Sequence, residues 1–206
     1  MFKIWGRVNS VNVQKTVWAA AETEVDFERF DAGMAYGKNN EGWYLKINPN
    51  GKIPILQDGE FSLWESNVIV RFLCHAHSMG NLCPENPKQR FEAEQWMDWS
   101  VSELGPAMVP VFWGLVRTPP DKRNQEMIQA GLDKCFQLYE ILDQQLKKTG
   151  YVTGNDFTMG DIPVGAIVYR WFNMDIKRPK LHALYGWYEM LKSRPDYQKH
   201  VMMPLT

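Results

Sequence analysis

The sequence predicts an α+β chain whose first half runs β-α-β-α-β-β-α and whose second half is an all-α helical bundle. Three observations predict it. Short apolar runs flank a helical apolar stripe near the start, an Asp58-Gly59 turn separates two further runs, and beyond Pro87 apolar residues recur only at helical spacing.

Phe2 to Trp5 is a short apolar run that ends at Gly6, and Val13 to Glu22 carries Val17, Trp18 and Ala21 at helical spacing, so strand then helix is expected. Val25 to Phe30 then alternates apolar with charged residues as a second strand does, completing a β-α-β opening. The connection from Gly33 to Gly42 is polar and rich in Gly and Asn, and the second helix of the series falls between the second and third strands. Lys52-Ile53-Pro54-Ile55-Leu56, the Asp58-Gly59 turn and Phe61-Ser62-Leu63-Trp64 read as a hairpin. A helix begins near Glu65, carries Val68, Ile69, Phe72 and Leu73, and fades at Ser78-Met79-Gly80-Asn81. This places one domain at residues 1–79 and a second at 87–206, with Gly, Asn and two prolines between them. In the second, Ala93, Trp96, Met97 and Leu104 mark a long helix. Ile128, Leu132, Cys135, Leu138, Tyr139 and Leu142 mark its antiparallel partner, and two more helices follow. Thr158-Met159-Gly160-Asp161 opens one of these as a capping box with Asp in the usual Glu place.

Composition narrows the function classes. Lys and Arg number 23 against 24 Asp and Glu, a net charge of -1, so no electrostatic case exists for nucleic acid or an anionic membrane surface. Cys74, Cys83 and Cys135 are odd in number and form no C-x-x-C pair, which argues against a disulfide framework or a zinc site and for a reducing compartment. The four histidines have no ligand spacing with the cysteines, so no metal is expected. No uncharged run approaches the roughly 18 residues that span a bilayer, and no leader pattern precedes Phe2. A cytoplasmic protein that binds a small molecule or another protein is the expectation.

The segment Asn48-Pro49-Asn50-Gly51-Lys52-Ile53-Pro54-Ile55-Leu56, followed by Leu63-Trp64-Glu65-Ser66-Asn67-Val68-Ile69, resembles the glutathione site of the cytosolic glutathione transferases. The resemblance covers essentially the whole chain and is nearest to bacterial theta- and delta-like members, with Ser10-x-Asn12-x-x-Lys15 at the first helix. It implies a thioredoxin-like first domain that binds glutathione as co-substrate and a helical second domain that holds an electrophile. It also implies a homodimer, in which Asp98 reaches toward the neighbouring subunit's glutathione.

The site roles follow from the same resemblance. The proline matching Pro54 is cis in the family, which turns the Ile53 N–H and C=O toward the cysteinyl backbone of glutathione in the manner of an added strand. Ser66 matches the residue that holds the γ-glutamyl carboxylate at a helix N-terminus, and Glu65 the one that holds its ammonium group. Lys52 and Lys38 are candidates for the glycyl carboxylate. A thiol of pKa about 8.5 needs a donor or a positive field to ionise. Ser10 holds the theta-like position for that donor, with Asn12 as the alternative because the S-x-P-C-R continuation is missing. By their places after the first strand and after the fourth helix, Arg7 and Arg117 are candidates to face the cleft and steer anionic electrophiles, and Met108, Phe112, Trp113 and Leu115 to line an apolar pocket that takes small electrophiles, halogenated or anionic compounds among them.

Conjugation to small electrophiles, a detoxification chemistry, is therefore the expected activity. The absence of a cysteine between Val11 and Gln14 excludes thioredoxin-type dithiol exchange. Glutathione-dependent reduction of disulfides or peroxides remains open, as does a binding or scaffold module without turnover.

Overall fold

Alternating apolar residues build the strands of this computed structural model, which describes all 206 residues. The strands β1 (Phe2–Trp5), β2 (Phe27–Phe30), β3 (Ile55–Asp58) and β4 (Phe61–Trp64) form one sheet in the order β2-β1-β3-β4. β1 pairs parallel with β2, as a β-α-β crossover requires, and antiparallel with β3, which pairs antiparallel with β4. Ile4 lies opposite Leu56, and both are fully buried. The second strand starts at Phe27 rather than Val25, because the Val25 N–H bonds the Ala20 carbonyl at 3.2 Å and is held in the turn that ends the first helix.

The helix α1 (Val11–Glu22) packs against α3 (Ser66–His77) on its sheet side and against α7 (Asp161–Asn173) and α9 (Pro195–His200) on the other. Every residue from Val13 to Ala20 is buried as a result, including Gln14, Lys15 and Thr16. Trp18 marks the seam, with its ring centroid 4.7 Å from Tyr197 and 5.5 Å from Phe157. Gly165 permits the approach of α7: a Cβ there would lie 2.7 Å from Leu191 Cδ1 and 3.2 Å from the Trp18 ring. The short α2 (Gly42–Ile47) precedes β3 and is anchored by the fully buried Tyr44.

The long helix expected after Pro87 is α4 (Pro87–Trp99) and α5 (Gly105–Phe112) joined by a π turn at Ser100–Leu104, with a second π turn at Trp113–Arg117. Pro110, inside α5, lacks a backbone donor. Its partner α6 (Gln125–Leu146) packs closely at Gly131, where a Cβ would stand 2.9 Å from Pro110 Cγ. Three helices follow rather than two: α7, α8 (His182–Lys192) and α9. The last is restarted by Pro195 in its first turn and held by the fully buried Tyr197, a stop and start that periodicity alone does not reveal. At the head of α7, Asp161 Oδ2 accepts from the Thr158 N–H at 2.9 Å while Thr158 Oγ1 accepts from the Gly160 N–H at 3.3 Å, the reciprocity of a capping box. Its other oxygen accepts from the Val152 N–H and from Trp187 Nε1.

Candidate active site between the sheet and the helical half

The loop before β3 is built around one carbonyl. Lys52 C=O accepts from Tyr44 Oη at 2.8 Å and from Asn48 Nδ2 at 2.9 Å, and Asn39 Nδ2 donates to Gly51 C=O at 2.9 Å. Burial pushes the Tyr44 phenol well above its usual range, which keeps it a neutral donor. Asn48, itself buried, returns its Oδ1 to the Asn50 N–H. This network fixes the chain up to Ile53–Pro54, a cis peptide bond. The Ile53 N–H and C=O have no partner within the chain, so one donor and one acceptor stand ready for an extended ligand. The Lys52 ammonium points to solvent, and Lys38 Nζ lies 5.3 Å from the centre of the Trp5 ring.

Next to this loop stands the N-terminus of α3. Glu65, its cap residue, is exposed and has φ +73°, a left-handed conformation uncommon for a non-glycine residue. Ser66 follows at the first helical position and is buried, with its hydroxyl making no hydrogen bond inside the protein. Asn67 ties the turn to the second half by donating Nδ2 to the Met97 carbonyl at 2.6 Å.

Gly6 brings the third element in. A Cβ there would lie 2.3 Å from Val13 Cγ2 and 3.3 Å from Ile53 Cβ, so the end of β1, the first turn of α1 and the Ile53 loop meet at one point. Ser10 sits at the cap position of α1 and is buried, yet its side chain makes no cap bond, which leaves the hydroxyl for another partner. Asn12, in the same turn, is exposed and its side chain is unengaged.

Beyond α1 lies an apolar cavity of about 60 Å³, lined by Val11, Met108, Phe112, Trp113 and Arg170 among others. Arg170 donates Nη2 to the Asn9 carbonyl at 2.9 Å and lies 4.1 Å from the Phe112 ring centre. Arg117 lies 4.6 Å from the Trp113 ring centre and 5.1 Å from that of Phe112. Burial lowers Arg170 to about 9, with the neighbouring Arg117 and Arg7 adding to the effect. The predicted Arg7, Arg117, Met108 and Phe112 thus gather at one place beside Ser10, whereas Lys52 and Lys38 do not converge with one another.

Two residues escaped the sequence reading. Arg170 is a lone cation after a buried helical run, and nothing in its spacing separates it from a surface arginine. Lys15 completes the Ser10-x-Asn12-x-x-Lys15 pattern but drew no role. It is 3 % exposed and forms no ion pair, and burial first, then Arg170, push its ammonium down to about 8 while Glu65 opposes the shift. α1 also carries Asn12, Gln14 and Thr16, so the sequence alone gives no signal of this burial, which comes from α3 packing on one side and α7 and α9 on the other.

No group of three or more His, Cys, Asp or Glu side chains is placed to hold a metal ion. No helix is long and apolar enough to cross a membrane. All three cysteines are unpaired and buried.

Residues 1–75 match the glutathione S-transferase N-terminal domain model and residues 104–195 the C-terminal domain model. The chain is 39% identical to glutathione S-transferase GstB of Escherichia coli, with 100% of both chains aligned. The chain belongs to the glutathione S-transferase family. Other relatives in this family include glutathione S-transferase PARB of Nicotiana tabacum, 26% identical with 96% of this chain and 95% of that one covered. The theta class glutathione S-transferase of Xanthomonas axonopodis pv. citri with glutathione bound superposes at TM-score 0.97 and 43% identity, covering 100% of this chain and 99% of that one. Its apo form gives 0.88 at 40% identity, covering 100% and 98%. The thioredoxin-like first domain and all-helical second domain are those of the family.

Proposed function

We propose that the chain is a glutathione transferase, which conjugates the glutathione thiolate to a small electrophile. The observation that carries this is the unpaired Ile53 N–H and C=O beside the free first-turn N–H groups of α3 at Ser66, in a chain of this family. The Ile53 pair would hold the cysteinyl backbone, Ser66 the γ-glutamyl carboxylate, and Glu65 the ammonium group. Lys52 and Lys38 would be the cations for the glycyl carboxylate. Ser10, whose hydroxyl is not used as a cap, would donate to the thiolate, with Asn12 as the second donor and the α1 dipole assisting both. The test is a titration of thiolate absorbance in the glutathione complexes of Ser10→Ala, Asn12→Ala and the double variant. The variant lacking the donor should ionise at higher pH; three curves identical to the parent's would refute activation by these side chains.

The buried cysteines bear on the reductase reading. Burial raises the thiols of Cys74, Cys83 and Cys135, the last to about 12, so none of the three supplies a thiolate readily at neutral pH. Any disulfide or peroxide reduction would then draw both thiols from glutathione. Retention on immobilised glutathione without turnover of any electrophile, disulfide or peroxide would instead favour a scaffold role.

A homodimer in the cytoplasm is the assembly we propose. Its support is an open groove of about 500 Å³ between β4, α3 and α4, where Phe61, Phe91 and Val68 are exposed beside Arg71 and Glu94. Asp98, expected to reach across to a neighbouring subunit, pairs within its own chain with Arg71, which also binds Glu94 at 3.2 Å. Sedimentation should give twice the 24.0 kDa chain mass at micromolar concentration, and Phe91→Glu should shift it to the monomer. A monomeric parent would refute the assembly. The domain limits at 79 and 87 are supported by the end of α3 at His77 and the start of α4 at Pro87.

A further inference from the structure

Lys15 is a cation that three helices enclose and no anion answers. It stands midway along α1, which α3 covers on one side and α7 and α9 on the other, and almost all of its surface is buried. No carboxylate lies within ion-pair distance of its ammonium. Nζ makes no hydrogen bond inside the chain, yet unlike Arg7 Nε it is not sealed from solvent, so a narrow opening reaches it. An isolated ammonium in such a place costs stability, and a cost of this kind persists where function requires the charge.

The opening has a definite place. Side chains on a helix lean toward its N-terminus, so the Lys15 stem runs back over Val11, one turn earlier, toward the first turn of α1 where Ser10 stands. Two charges act on the ammonium from the elements packed against α1: Arg170 from α7 and Glu65 from the head of α3. Arg170 lines the apolar cavity together with Val11, and Glu65 belongs to the glutathione site. The Lys15 ammonium therefore sits where the two subsites meet, which is where the sulfur of glutathione must face an electrophile.

We propose that Lys15 is the counter-charge of ionised glutathione, a fixed cation behind the first turn of α1 that favours thiolate over thiol and adds to the hydrogen bond from Ser10 or Asn12. The proposal rests on the transferase reading and adds a residue to its chemistry. The two carboxylates of glutathione have candidate partners in Ser66 and in Lys52 or Lys38, whereas the sulfur otherwise meets neutral donors and a helix dipole. In the ionisation the S–H bond breaks, its electron pair stays on sulfur and the proton passes to water. Lys15 keeps its own proton throughout. Burial and Arg170 lower it only to about 8, with Glu65 opposing, so it is charged at neutral pH. The new negative charge then relieves the repulsion between Lys15 and Arg170. At an effective dielectric of about 20, a unit charge at about 10 Å shifts a titration by roughly one pH unit.

The experiment titrates thiolate absorbance in the glutathione complexes of the parent, Lys15→Met and Lys15→Arg. Calorimetry measures S-methylglutathione binding alongside, because that ligand has no thiol to ionise. In Lys15→Met the bound thiol should ionise about one pH unit higher than in the parent, and kcat/KM at about pH 6.5 should fall about tenfold. At about pH 9, where both thiols are ionised, the two rates should converge. Affinity for S-methylglutathione should stay within about threefold. Lys15→Arg keeps the charge and should keep most of the shift; Lys15→Gln is a second neutral variant, and circular dichroism checks that each is folded. Unchanged ionisation in both neutral variants overturns the role of Lys15. So does an equal loss of affinity for glutathione and S-methylglutathione with no change in ionisation, which would make Lys15 a support for Glu65 instead. In either case a parent that binds glutathione as the thiolate leaves the transferase reading intact. A parent that does not bind glutathione at all overturns both.

Discussion

Ser66→Ala offers the sharpest separation of binding from stability. Ser66 is buried at the first position of α3, but its hydroxyl keeps some access to solvent and bonds to nothing inside the free protein, so its removal costs the fold no internal hydrogen bond. In the glutathione complex the same hydroxyl would donate to a carboxylate, a charged hydrogen bond worth about 1.5–3 kcal/mol. At 1.36 kcal/mol per tenfold, Kd should rise by about 10- to 150-fold. Titration calorimetry of parent and variant with glutathione measures this directly, and thermal unfolding without ligand provides the control. Affinity unchanged within a factor of two would show that the carboxylate is held elsewhere. A Tm that falls by many degrees would show that the hydroxyl has an internal role which the geometry does not contain.

Two further outcomes concern buried charge. Burial raises Asp161 to about 6 from an ordinary value near 3.8, so the folded state binds more protons than the unfolded state between those limits. Stability should therefore fall by about 3 kcal/mol as pH rises from 4 to 6, then level off. Asp161→Asn should remove that slope and, by turning an amide NH₂ toward N–H donors, cost about 2–4 kcal/mol, both read from denaturant curves. Lys15 has the opposite sign: its folded pKa near 8 lies below the unfolded value of 10.5, so the parent should gain about 3 kcal/mol as pH rises from 8 to 10.5. Lys15→Met should be more stable than the parent at pH 7 and flat over that window; an equal slope in both proteins would place the titration on another group.

The elements of the first half were legible because local chemistry and tertiary role coincide there. The Asp58-Gly59 turn, the alternation in β4 and the Ile53-Pro54 string each announce themselves within a few residues, and the hairpin formed where they said. Helix number in the second half was less legible. α9 is six residues long and owes its place to Tyr197 reaching Gly165 C=O at 2.9 Å, a contact between residues 32 positions apart. The candidate site divides in the same way. Arg7 and Arg117 could be named as cleft residues from their positions after a strand and a helix. Arg170 could not, because only the packing of α7 on α1 carries its guanidinium to the Asn9 carbonyl, 161 residues away in sequence. Lys15 was visible as a letter in a pattern, but its burial depends on both halves closing over one helix.

That double enclosure of α1 decides how the molecule comes apart. With Trp18 pressed between Tyr197 and Phe157, and Val13 and Val17 in the same core as Ile69, the helix is a wall common to two rooms. Cutting the chain after residue 79 would leave that wall with one side open to water, baring the Trp18 indole and the buried Lys15 together. One shared melting transition is therefore the expected outcome for both halves, with calorimetry as its check, and a substitution anywhere along Val13 to Ala20 should be felt by both.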